Sequence, residues 1–273
     1  MLKDVTLGQY FPGESPLHRA DPRTKVILSL CYIIALFCVK SALGMLLCAL
    51  TLVCFHAASR IPLRTVLSGV KPILLILAFT FLINLFWTRG ETLLFSWKFI
   101  RIYREGIVTA LMMAVRILLL VTGSGIFLTY TTSPIMLTDA IEQLLSPLKK
   151  IKVPVHDFSM MMTIALRFIP TLIEETDRIM DAQKARGASF STGGLIRRAK
   201  ALIPILIPLF VCAFKRADDL AVAMECRCYR GGEGRTRMTR LRFSPADYLM
   251  MLSGVLLIAA VILLNHLPVG IAL

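Results

Sequence analysis

The sequence is short of acid. Its 273 residues carry 17 Asp and Glu against 31 Lys and Arg, a formal net charge of +14. It is short of charge altogether, with 18% ionisable side chains, where a soluble domain carries about 25%. With 56% hydrophobic residues and a mean hydropathy of +0.73, that scarcity argues for a membrane protein with a basic cytoplasmic face. A zinc-finger spacing and a platform of interleaved aromatic and basic residues are both absent. The apolar runs are also too long for a nucleic-acid module, so no nucleic acid is expected as a partner. A disulfide framework is missing too. The 7 Cys (Cys31, Cys38, Cys48, Cys54, Cys212, Cys226 and Cys228) are odd in number and mostly sit in apolar segments, where they read as small packing residues. Cys226 and Cys228 form a C-x-C with no second Cys/His pair near enough for zinc. The four His (His18, His56, His156, His266) are scattered and read as packed or solvated single side chains. The first 24 residues lack the short apolar core and small-residue cleavage site of a secretory signal. The N-terminus is therefore expected in the cytoplasm.

Phosphate-binding and hydrolytic signatures are missing as well. There is no Walker A loop, no H-E-x-x-H and no nucleophile–base arrangement. Gly231-Gly232-Glu233-Gly234 lacks the Gly-Lys-Ser/Thr ending that a phosphate loop needs. The chain shows no ATPase chemistry of its own. No catalytic residue, metal or cofactor is expected.

What is present begins with an irregular lead-in, followed by Asp21-Pro22, a helix cap and a first helical position. Arg19, Arg23 and Lys25 stand where a cytoplasmic anchor belongs. Val26 to Val39 and Ala42 to Ala58 are apolar runs separated by Lys40-Ser41. Each is short for a span of about 20 residues. Two helices with a tight turn fit best, one long buried helix being the alternative. Arg60, Arg64 and Lys71 mark the next cytoplasmic loop, and Pro72 to Trp87 is the core of a third span. Arg89 to Arg104 mixes aromatics with cations and reads as an amphipathic segment in the interface. Gly106 to Tyr130 is a fourth span containing Arg116. That arginine either faces protein or water as a functional candidate or lies near the interface if the span starts close to Ile117.

From Lys149 to Arg242 there are 18 Lys and Arg against 9 Asp and Glu, a block that belongs in the cytoplasm. A short amphipathic helix over roughly 134–149 leads into a long one over Val155–Arg186. At about 1.5 Å per residue the long helix measures some 48 Å. Pro170 is expected to bend it. Its methionines (Met160, Met161, Met162) read first as ordinary helix packing, second as a surface on which partners repack. A second long helix, Leu195–Cys228, repeats the layout: an apolar body with Pro204 and Pro208, charged last turns, and an arginine at the tip. Arg230 to Arg242 is a glycine–arginine linker suited to anionic headgroups. Ser244-Pro245-Ala246-Asp247 caps a last span, Tyr248 to Asn265.

The two tips read Ala185-Arg186-Gly187 and Cys226-Arg227-Cys228, with the arginines 41 residues apart. One arginine at a helix end merely complements the dipole, and Gly187 by itself is a helix stop. Repetition raises the signal. A guanidinium fork can grip a carboxylate in a groove, and small neighbours such as Ala185 and Gly187 let the tip enter a narrow one.

These features resemble the transmembrane T component of energy-coupling factor (ECF) transporters, the EcfT or CbiQ-like family. The resemblance covers nearly the whole length. It rests on Ser15-Pro16-Leu17-His18-Arg19 with Asp21-Pro22-Arg23-Thr24-Lys25, on the proline-bearing long helices, and on Ala185-Arg186-Gly187 with the second tip. The Gly8–Gly13 lead-in is more similar to the shared-module subgroup, which serves several substrate-binding subunits. The resemblance implies that two cytoplasmic ATP-binding cassette ATPases dock on the tips, at Ala185, Arg186, Gly187 and at Cys226, Arg227, Cys228. Crossed coupling helices would then drive a small membrane S component that binds a vitamin. The chain itself would hold neither nucleotide nor substrate. The family expects Ala-Arg-Gly at the second tip; here both small flanks are thiols.

The expected architecture is all-α, a polytopic protein of the cell membrane with about five transmembrane helices and a cytoplasmic domain of long crossed coupling helices. Residues 1–24 form a cytoplasmic N-terminal segment and 25–131 the first four spans. Residues 132–243 form the coupling-helix domain and 244–273 the last span. A competing reading is an intramembrane metal-dependent enzyme acting on lipid headgroups, with carboxylates from Asp177, Asp181, Asp218 and Asp219. Asp177 and Asp181 share a helix face, but Arg178, Lys184, Lys215 and Arg216 stand close by, and surface ion pairs account for the acids better.

Overall fold

The computed structural model describes residues 10–88, 92–97, 100–188, 194–231 and 241–266, and several of its helices start on a side chain suited to the task. Helix α1 (Pro16–Arg19) is capped by Ser15, whose hydroxyl accepts from the His18 N–H. Helix α2 (Pro22–Cys38) is capped by Asp21, with Pro22 in its first turn. Helix α3 (Ala42–Ser59) is capped by Ser41. Each cap satisfies a helix N–H that has no partner within the helix. The long apolar run is therefore two helices with a turn at 39–41, not one.

The third apolar stretch contains the expected core, Pro72 to Trp87, and extends back to Leu63, as α4 (Leu63–Val70) and α5 (Leu74–Trp87) joined by a 3₁₀ turn, Lys71–Ile73. Pro72 lies in that turn, where its missing N–H breaks no α-helical bond. The aromatic–cationic stretch is a hairpin, β1 (Leu93–Trp97) antiparallel to β2 (Ile100–Tyr103). Phe95-Ser96-Trp97 and Ile100-Arg101-Ile102 alternate with the period of two that a strand needs. Residues 89–91 and 98–99 of that stretch lie outside the described residues. Helix α6 (Arg104–Ser124) widens into a π turn, Gly125–Thr129. Helix α7 (Pro134–Leu144) is shorter than the expected 134–149. A separate 3₁₀ turn, Ser146–Ile151, follows it, because Pro147 has no N–H to continue an α-helix. Helices α8 (Val155–Ala185), α9 (Leu195–Cys226) and α10 (Pro245–His266) complete the order. α8 stays helical through Pro170, and α9 through Pro204 and Pro208. Most of the glycine–arginine linker, 232–240, lies outside the described residues.

Four helical stretches, Ala42–Ser59, Leu63–Trp87, Arg104–Thr129 and Pro245–His266, are long and apolar enough to cross a membrane. α2, at 17 residues, sits at the short end of the spanning range. The chain is an all-α polytopic membrane protein with one small hairpin. α5 buries none of its residues within the chain, as suits side chains whose solvent is lipid.

The residues fall into two compact units, one drawn from 8–140 with 240–273 and the other from 141–239. The first has a core around Tyr32, Phe127 and Phe55. The Tyr32 and Phe55 rings each meet Phe127 edge-on, with centroids 5.4 and 5.2 Å away. Gly123 makes room for this arrangement. A Cβ there would overlap the Tyr32 ring, so only glycine lets α6 approach α2 this closely.

The first unit is tied at the start of α2 by a cluster of buried charges. Lys25 is 2% exposed, Asp21 6% and Asp247 1%. Lys25 Nζ donates to the carbonyls of His18 (3.1 Å) and Thr131 (2.8 Å). Asp247 accepts from the Asp21 N–H (2.9 Å) and the Ser244 N–H (2.7 Å), joining the starts of α2 and α10. Arg23 grips Asp21 with Nε at 3.1 Å and Nη2 at 2.8 Å, and its guanidinium lies 3.9 Å from the centre of the Phe243 ring. Two cations thus balance two carboxylates, the condition under which buried charge is tolerated. His18 belongs to the same knot rather than being solvated. Its Nε2 lies 2.9 Å from the Phe11 carbonyl and its Nδ1 2.6 Å from the Ser15 hydroxyl. A carbonyl only accepts, so Nε2 donates to Phe11.

At the other end of α2, Arg116 settles into a structural role. Its Nη2 donates to the Val39 carbonyl at 2.6 Å, and Asn265 Nδ2 donates to the Cys38 carbonyl at 2.7 Å. Both satisfy carbonyls that a helix C-terminus leaves open, and the cation complements the dipole there.

Candidate functional site

The ends of α8 and α9 are built alike in the hydrogen bonds that close them. α8 stops at Ala185. Arg186 follows at φ −83°, ψ 6°, and Gly187 turns left-handed at φ +86°. The Gly187 N–H donates to the Lys184 carbonyl (2.9 Å) and the Ala188 N–H to that of Gln183 (3.0 Å). α9 stops at Cys226. Arg227 follows at φ −92°, ψ 13°, and Cys228 turns left-handed at φ +55°. The Cys228 N–H donates to the Glu225 carbonyl (2.8 Å) and the Tyr229 N–H to that of Met224 (3.0 Å). Both ends are Schellman caps in the same register, with the arginine at the C-cap and the left-handed residue directly after it. A left-handed residue costs nothing at Gly187 and about 1–2 kcal/mol at Cys228.

All six residues, Ala185, Arg186, Gly187, Cys226, Arg227 and Cys228, are exposed. Neither Arg186 nor Arg227 has a side-chain partner among the described residues. Each guanidinium keeps its planar fork of donors free for a carboxylate. Two acids of these helices pair with other cations. Asp181 pairs with Lys184 at 2.9 Å, and Glu175 meets Arg216 at 3.5 Å.

The contacts between α8 and α9 separate the tips. Glu175 of α8 meets Arg216 and Cys212 of α9. Further back on α8, the Met160 sulfur accepts from the Tyr229 hydroxyl at 2.9 Å. The order is reversed between the two helices, so they run antiparallel over this stretch. The second tip therefore sits beside Met160, while the first lies at Arg186, about 40 Å further along α8 at about 1.5 Å per residue. The structure does not gather the six residues into one site; it presents two sites of one design. Sequence reasoning missed the Tyr229–Met160 contact that fixes the second tip. Its signal was a tyrosine directly after the C-x-C, next to the helix end.

The lipid-enzyme reading finds no support. Among the described residues no group of three or more His, Cys, Asp or Glu is placed to hold a metal ion. Asp181 is committed to Lys184.

Comparison with known proteins agrees on one family. The family model described as CbiQ, Cobalt transport protein, matches residues 13–238. A protein of Ruminiclostridium cellulolyticum called energy-coupling factor transporter transmembrane protein EcfT is 54% identical, over 97% of this chain and 99% of its own. The protein of that name from Acidaminococcus fermentans is 51% identical over 99% of both chains. That from Bacillus subtilis is 43% identical over 97% of this chain and 100% of its own. A match of this length, to a chain of apolar spans and two long polar-tipped helices, has one reading: the chain belongs to the CbiQ family of membrane transport proteins.

Proposed function

We infer that this chain is the transmembrane component of an energy-coupling factor transporter and that it works as a mechanical coupler. Two ATP-binding cassette ATPases dock on its two arginine tips, one on Ala185-Arg186-Gly187 and one on Cys226-Arg227-Cys228. A small membrane S component supplies the substrate site and takes up a vitamin or other micronutrient. The observation that carries this reading is the pair of matching Schellman caps, each presenting an exposed and unpaired arginine. A separation of about 40 Å gives each tip room for its own subunit. The relatives' shared name supports the same assignment.

The proposed layout places 25–131 and 244–273 in the bilayer, and 132–243 with residues 1–24 in the cytoplasm. Basic residues support that orientation: Arg19, Arg23 and Lys25 before the first span, Arg60, Arg64 and Lys71 between the second and third, and the cationic block from Lys149 to Arg242. α8 and α9 then form the coupling domain. Motion of the ATPases reaches α8 and α9 as movement of their ends. The antiparallel contact at Glu175 and Arg216 makes each helix respond to the other.

The test is a membrane pull-down of the chain, wild type beside Arg186→Ala/Arg227→Ala, with the copurifying proteins identified. Two ATPases and at least one small membrane protein are expected with the wild type. The ATPases should be lost from the double variant while it still inserts in the membrane. Full retention of both ATPases on the double variant would refute the docking role of the tips.

A further inference from the structure

The two tips share a backbone and differ in chemistry. The first is flanked by Ala185 and Gly187, which offer no reactive group. The second carries Cys226 and Cys228 on either side of Arg227, and both are free thiols on the surface. Of the other cysteines, Cys48 is buried and Cys31, Cys38 and Cys212 are half-buried. Cys54 is exposed, but it lies within the apolar helix α3. The exposed thiols outside the apolar helices therefore lie together at one end of α9.

We propose that Cys226 and Cys228 form a thiol-modification site on the second tip, through which a low-molecular-weight disulfide blocks docking there and leaves the first tip untouched. This rests on the docking reading above. The step is thiol–disulfide exchange. The thiolate of Cys226 or Cys228 attacks one sulfur of glutathione disulfide, and the reagent's S–S bond breaks. A mixed disulfide forms on the protein. The second half leaves as glutathione thiolate and takes up the proton that the cysteine released. The added tripeptide has two carboxylates and one ammonium group. It lands directly beside Arg227, where it competes for the guanidinium and widens a tip that must enter a groove. Reduction by a free dithiol reverses the step.

Membranes holding the full chain without its ATPases are treated with glutathione disulfide, washed, and mixed with the purified ATPases. The readout is retained ATPase in treated over untreated membranes, compared for each chain with itself. For the wild type the ratio is expected to fall to roughly half or below, one socket of two being lost, and to recover on dithiothreitol. Cys226→Ala/Cys228→Gly, which restores the sequence of the first tip, should hold a ratio near one, and the single variants should fall between. Cys54→Ser should remain as sensitive as wild type. Mass spectrometry that finds neither Cys226 nor Cys228 modified overturns the proposal. So does an unchanged ratio on a chain whose two thiols are modified, or an equal drop in the double variant. Failure of the docking reading is seen separately, as full ATPase retention by untreated Arg186→Ala/Arg227→Ala.

Discussion

Charge is handled in opposite ways at the start of α2 and at the ends of α8 and α9. In the first region Lys25, Arg23, Asp21 and Asp247 are buried or nearly so, and each is held by a partner within the chain. In the second, Arg186 and Arg227 are exposed and unpaired among the described residues. Burial makes an unpartnered charge costly, so the charges of the first region are held within the chain, where they fix how the lead-in, α2 and α10 meet. Exposure lets a charge wait in water at little cost, so the second region stays open to a partner. A charged motif in this chain thus has two readings, and burial decides between them.

The comparison can be broken at either side. The largest effect is expected from Arg186→Ala/Arg227→Ala. Each truncated charge contact should weaken docking by about 2–5 kcal/mol, enough in sum to abolish ATPase copurification, while thermal unfolding of the detergent-purified chain stays near wild type. A lowered unfolding temperature in that variant would mean that the tips also support the fold. Next is Asp247→Ala, which removes the acceptor of two backbone N–H groups and leaves Lys25 under-compensated. A loss of about 3–5 kcal/mol in stability is expected, read as a drop in unfolding temperature or in the amount of chain recovered from membranes. Stability equal to wild type would remove the knot from the account of the fold. Gly123→Leu follows, since a side chain there must displace Tyr32. It should destabilise by about 1–3 kcal/mol, with no direct effect on the tips. The smallest effect is expected from Cys228→Gly. Relief of the left-handed strain should stabilise the α9 cap by about 1 kcal/mol, visible as slower exchange of the Tyr229 amide and absent from the α8 cap.

The fold was largely legible because a membrane chain announces its helices by apolar length and by capping residues. Ser41 and Asp21 mark helix starts in the sequence and cap them in the structure. What misled was aromatic content: the mixed segment before α6 proved to be a hairpin. Strand alternation over four or five residues is too short to stand out beside runs of twenty. The tips were legible as repeated letters, and the cap geometry of the first follows from glycine at 187. Cys228 in a left-handed turn was not legible, because a non-glycine residue seldom adopts that conformation.

The sequence by itself determined that this is a helical membrane protein with a basic polar block and two arginine-tipped helices. Hydropathy, charge and caps are local properties, and the bilayer enforces them segment by segment. Only the tertiary structure decided which charges are committed and which are free. Arg116, inside an apolar span, was a candidate in the sequence beside Arg186. Asp21, 226 residues before Asp247, and Val39, 77 residues before Arg116, are the kind of partner that only packing supplies. Whether a guanidinium is satisfied depends on what the fold places within about 3 Å of it, and no local pattern records that distance.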